Sequence, residues 1–157
     1  MNTIVPPLPG IDPRDRRDRA DDARALIALY DRTVDSVKGY AKMVEKAEPA
    51  FRDTAERFRT LHARHAEDLA RILSDLDVDT DGAGSVMGTV NQAVVTFRAF
   101  FDDIDEDVMD QVRSGEDWVL KAFEDAIAEQ DSTDAGPKLR AMQTELINLL
   151  AETRHLG

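Results

Sequence analysis

Two histidines one helical turn apart, His62 and His65, and a glutamate, Glu116, on an otherwise apolar stripe are the residues best placed to do chemistry. Glu116 stands four residues after Val112, three before Val119 and seven before Phe123, where a core side chain is expected. His65 interrupts the run from Leu61 to Leu69 in the same way. The His62-x-x-His65 spacing lets both rings converge on one point from a single helix face. A buried carboxylate must find a cation, a proton or a hydrogen-bond donor, because leaving it unpaired is costly. Two readings follow. One is a structurally satisfied Glu–His contact; the other is a metal site, since imidazole and carboxylate together suit iron, manganese or zinc.

Counting from the helix turns supplies the further candidates. His65 counts level with Thr33, which brings Asp31 within its reach, and Glu116 counts level with Ala151, with Glu145 deeper in the same helix. The candidate metal ligands are therefore Asp31, His62, His65, Glu116 and Glu145, and no residue is singled out as catalytic. Two other motifs are weaker. Asp77, Asp79, Asp81 and Gly82 copy the first half of a calcium loop, but the twelfth position is Gly88 and supplies no carboxylate. Glu152-x-x-His155 has the spacing of a di-iron ligand pair but lies in the last turn of a chain ending at Gly157.

Helices must position these residues. Apolar positions Ala23, Ile27, Tyr30, Val34, Val37, Ala41 and Val44 step by threes and fours and predict a first helix over 18–47. Pro49 ends it and opens a second helix over 49–76, striped by Phe51, Phe58, Leu61, Leu69 and Ile72. After an acidic loop at 77–84, a connecting helix is expected over 85–101. A third core helix follows over 106–130, through Val108, Val112, Val119, Phe123 and Ile127. The fourth opens at Pro137 and carries Leu139, Met142, Leu146 and Leu149. Pro6, Pro7, Pro9 and Pro13 make residues 1–19 an extended arm, leaving 20–157 as the bundle domain.

The short joints make two antiparallel hairpins. The connecting segment is long enough to run the length of the bundle and set the second core helix parallel to the third. The expected fold is thus all-α, a four-helix bundle with a helical crossover between its second and third core helices, which is the ferritin-like connection.

Composition narrows the function. A net charge of −12 opposes nucleic acid and anionic membrane surfaces, which call for clustered Lys and Arg. The absence of cysteine removes disulfides, zinc–thiolate sites and thiol chemistry. Met1 to Gly10 lacks the basic start and apolar run of a signal peptide, which gives a cytoplasmic expectation.

The stretches Gly84 to Val90 and Val112 to Ile127 resemble uncharacterised bacterial ferritin-like bundles, the family of domain of unknown function 2383. The resemblance rests on Gly115-Glu116-Asp117, Phe123, Lys38-Gly39-Tyr40 and Asp68-Leu69, and covers about residues 25–155. It implies a ferritin-like fold whose iron ligands would be a Glu on one helix of each hairpin and a Glu-x-x-His on the other. Only Glu116 matches that pattern. Asp31 stands in place of a Glu, His62 in place of a carboxylate, and Glu145-x-x-Asn148 lacks the histidine. The expectation is a non-catalytic structural, stress-related or interaction protein with a degenerate interior polar site. A metal-binding protein and a helical adaptor for another protein are the alternatives. Trp118, beside the core stripe of its helix, is a candidate anchor for a homodimer.

Overall fold

Asp12 caps the first helix: its carboxylate accepts from Arg14 N at 2.9 Å, and Pro13 fills the first helical position. The computed structural model describes residues 12–78, 80 and 108–156. Five helices occupy them: α1 Pro13–Asp22, α2 Arg24–Lys46, α3 Pro49–Asp75, α4 Val108–Glu129 and α5 Ala135–Glu152. Residues 13–19, expected in the extended arm, are helical because a proline is harmless at a first turn that Asp12 caps. The connecting helix expected over 85–101 lies outside the described residues, as do Asp79, Asp81 and Gly82 of the calcium-like loop.

The single helix expected across 18–47 is in fact two, broken at Ala23, whose φ of −120° and ψ of 21° are not helical. The groups freed by the break are met from the far end of α4. Glu129 accepts from Ala25 N at 2.9 Å and Leu26 N at 3.0 Å. Gln130 Nε2 donates to Asp22 O at 3.0 Å. A carboxylate at the start of α2 satisfies two orphan N–H groups and faces the positive end of the helix dipole.

Directions follow from such contacts. The two-residue joint at Ala47 and Glu48 makes α2 and α3 antiparallel. Glu129 at the start of α2 makes α2 and α4 antiparallel. Ion pairs Arg57–Glu152 and Arg64–Glu145 run in opposite senses along α3 and α5. α3 and α4 are therefore parallel and stand diagonally, while α2 packs on α3 and α4, and α5 packs on α4 and α3.

α3 ends in a Schellman turn. Asp77 adopts φ 56°, Asp77 N donates to Ser74 O, and Val78 N donates to Leu73 O at 2.9 Å. α5 begins at Ala135, two residues before the expected Pro137. Gly136 allows a close approach there, since a Cβ would stand 3.0 Å from Gln130 O, tighter than an ordinary contact.

The core is built from Leu26, Leu29, Phe58, Leu69, Leu73, Phe123, Leu139 and Leu146, each fully buried. The stripes expected on α3, α4 and α5 face it. That of α2 lies at its margin: the buried face is Leu26, Leu29, Thr33, Gly39, Tyr40 and Met43, mostly one position off the expected Ile27, Tyr30, Val34, Ala41 and Val44. Thr33 fits in the core because its hydroxyl donates to Leu29 O at 2.8 Å. Among the described residues no helix is long and apolar enough to cross a membrane.

Candidate functional site

Glu116 projects from α4 into the interior and is 2% exposed. One of its oxygens, Oε1, takes two donors from two other helices. Tyr40 OH on α2 donates at 2.5 Å and His62 Nε2 on α3 stands at 2.8 Å. A carboxylate can only accept, so His62 donates through Nε2–H. The Tyr40 ring lies between Phe58 and His62, stacked at centroid distances of 5.2 and 5.6 Å. Burial first, and then the adjacent Glu116 charge, pushes the Tyr40 phenol well above its ordinary value of 10.0. It stays a donor throughout the physiological range.

His65, one turn along α3, belongs to a second pair. Its Nε2 stands 2.7 Å from Glu145 Oε2 on α5, and the same oxygen forms an ion pair with Arg64 Nη2 at 2.9 Å. The His65 ring meets Phe123 edge-on at 5.9 Å and His62 edge-on at 6.4 Å. Burial lowers the His65 pKa, a pull that the bond to Glu145 partly opposes, so its imidazole is neutral at neutral pH. Glu145 itself is half-exposed. It lines an open groove of about 460 Å³ between α3 and α5, with Arg57, Leu61, Arg64 and Leu149 among its walls.

Asp31 bonds to neither pair. It lies nine residues before Tyr40 on α2, which is about 13 Å along the helix at 1.5 Å per residue. Burial, and next the charge of Asp35, raises its pKa, and its Oδ1 is buried without a partner. Glu116 Oε2, His62 Nδ1 and His65 Nδ1 are likewise buried and unpartnered.

Four of the five candidate ligands thus come together as two pairs, Glu116 with His62 and Glu145 with His65, and Asp31 bonds to neither. A ferritin-like iron centre needs carboxylates and histidines from all four helices converging at one level. Among the described residues no three His, Asp or Glu side chains stand together so as to hold a metal ion. The donor set therefore does not fit that centre in this arrangement. Glu152 is paired with Arg57, and His155 lies beyond the end of α5 on the surface.

Tyr40 is absent from the candidates that the sequence offers, although it completes the Glu116 site. Its signal is the recurrence of Leu26, Leu29, Thr33, Tyr40 and Met43, masked by the polar members of that set. Trp118 is 64% exposed, and Arg32 on α2 lies over its ring at 5.6 Å.

The chain matches the family described as Domain of unknown function (DUF2383) over residues 21–129, and it belongs to that family. The matched span contains Tyr40, His62 and Glu116 and stops before α5 and Glu145, short of the reach to about residue 155 that the sequence resemblance implied. No curated protein and no solved structure matches the chain.

Proposed function

We propose that this member of the DUF2383 family is a ferritin-like four-helix bundle without a catalytic centre, a structural or interaction protein that acts through its surface. The observation that carries this reading is the double occupation of Glu116 Oε1 by Tyr40 and His62. One carboxylate ties α2, α3 and α4 together, so the interior polar group is committed to holding helix register. The exposed Trp118, fixed by Arg32, is the proposed anchor for a second copy or another protein.

A metal-binding bundle is the competing reading, and the unpartnered atoms of Asp31, His62, His65 and Glu116 favour it. It requires both Glu–His pairs to open and Asp31 to reach them. Metal analysis of protein purified without chelator separates the two. The structural reading expects iron, manganese and zinc far below one equivalent, and Glu116→Gln with unchanged metal content. Near-stoichiometric metal that is lost in Glu116→Gln would overturn it.

A further inference from the structure

The unpartnered interior atoms share a chemical character. Both histidines donate through Nε2–H to a carboxylate, so in the neutral imidazole each Nδ1 carries a lone pair. Glu116 Oε2 and Asp31 Oδ1 are acceptors as well. His65 Nδ1, Glu116 Oε2 and Asp31 Oδ1 are then buried acceptors without a donor among the described residues. Buried acceptors of this kind are ordinarily met by ordered water, which brings two donors in the smallest volume.

Such a guest needs a way in, and the walls differ. Tyr40, Phe58 and Phe123 close the interior with stacked or edge-on rings. The side between α3 and α5 is closed differently. There the groove of about 460 Å³ reaches Glu145, and Glu145 is the group that covers the His65 ring nitrogen. Glu145 is half-exposed and lines the groove, while His65, to which it bonds, is fully buried. Arg64, more than half exposed, holds the same carboxylate oxygen from outside. A swing of Glu145 toward Arg64 keeps that ion pair and leaves His65 Nε2–H facing the groove, where water can replace the lost acceptor.

We propose that the α3–α5 groove is the portal through which small hydrogen-bond donors, water first among them, reach the interior histidine pair, with Glu145 as its door. His65 is the first interior group an entering molecule meets, and His62 with Glu116 lies behind it. The door is distinct from the Tyr40–Glu116–His62 contact and does not depend on how that contact is used.

Carbethoxylation by diethyl pyrocarbonate reads the door directly. An unprotonated imidazole nitrogen attacks a reagent carbonyl, a nitrogen–carbon bond forms, and carbon dioxide and ethanol leave; at His65 that nitrogen is Nε2, which becomes unprotonated when loss of the Glu145 acceptor lets the ring proton pass to Nδ1. The chain contains three histidines, and trypsin places them in separate peptides because Arg59, Arg64, Arg71 and Arg154 flank them. Surface-exposed His155 serves as the internal reference. In the full chain, His65 should react more slowly than His155 and faster than His62. Glu145→Ala should accelerate His65 at least tenfold relative to His155, with core amide exchange unchanged. Glu145→Gln, which keeps an oxygen acceptor for His65, should stay within a few-fold of the unsubstituted chain. An unchanged His65 rate in Glu145→Ala overturns the proposal. So does acceleration of His62 and His65 together with loss of amide protection along α3 and α4, which would make Glu145 a structural prop rather than a door.

Discussion

Replacing Tyr40 with phenylalanine removes one hydroxyl from the centre of the bundle and nothing else of its shape. The ring keeps its stacks on Phe58 and His62, so the loss isolates the bond from Tyr40 OH to Glu116 Oε1. A buried hydrogen bond to a charged acceptor contributes about 1.5–3 kcal/mol. Glu116 retains the His62 donor, so its carboxylate is weakened rather than abandoned. For a domain of this size, about 2–4 °C in Tm accompanies each kcal/mol, which gives a fall of about 3–12 °C. Denaturant unfolding in Tyr40→Phe, Glu116→Gln and the double variant measures the term. Against the neutral amide the hydroxyl contributes about 0.5–1.5 kcal/mol, so the two substitutions should couple.

The phenol carries a pH signature as well. Its folded pKa is raised above the unfolded 10.0, so the folded state holds this proton more tightly. The stability this supplies is complete below about pH 10 and is lost as pH rises through the folded value. The gap between the unsubstituted chain and Tyr40→Phe should therefore narrow in alkali. Tyr40→Phe with equal or greater stability at pH 7, or a gap that widens above pH 10, would refute the view that Glu116 is held by this donor.

Phe123→Ala should cost about 3–5 kcal/mol, the range for deleting a fully buried aromatic, and urea unfolding will show it as a lowered midpoint. Asp31→Asn should stabilise the fold at pH 7. The folded pKa of Asp31 is raised above 3.8 by burial and by Asp35, so stability linked to its protonated form is present below that value and lost as pH rises through the folded one. Thermal melts should show the gain from asparagine at neutral pH and its disappearance near pH 3.

Much of this arrangement was legible because three helices carry apolar stripes that are broken only at His65 and Glu116. Phe58, Leu61 and Leu69 on α3, Val112, Val119 and Phe123 on α4, and Leu139, Met142 and Leu146 on α5 all face the core as their spacing requires. On α2 the apolar residues Ile27, Val34, Val37 and Val44 line the margin of the buried face, while Thr33 and Tyr40 occupy its middle. Hydropathy follows the margin, and only satisfied hydroxyls reveal the middle. The pairing of His62 with Glu116 was out of reach for another reason. Their relative height depends on the connection between α3 and α4, not on spacing within either helix. The break at Ala23 was equally hidden, since the carboxylate that caps α2 lies 104 residues beyond Ala25.

The strong negative charge gains a second meaning from these contacts. Glu116 and Glu129 lie thirteen residues apart on α4, about 20 Å at 1.5 Å per residue. Both reach α2, one at Tyr40 and the other at the N–H groups of Ala25 and Leu26. A slide of α4 by one turn, about 5.4 Å, would break both at once, whereas apolar side chains could repack in a neighbouring groove. Solubility can be supplied by any carboxylate on the outer surface; these two set register between particular helices. Neutralising surface acids such as Asp110 or Asp125 should leave the fold intact. Neutralising Glu129 should fray the start of α2, because the donors it satisfies have no other acceptor within the helix.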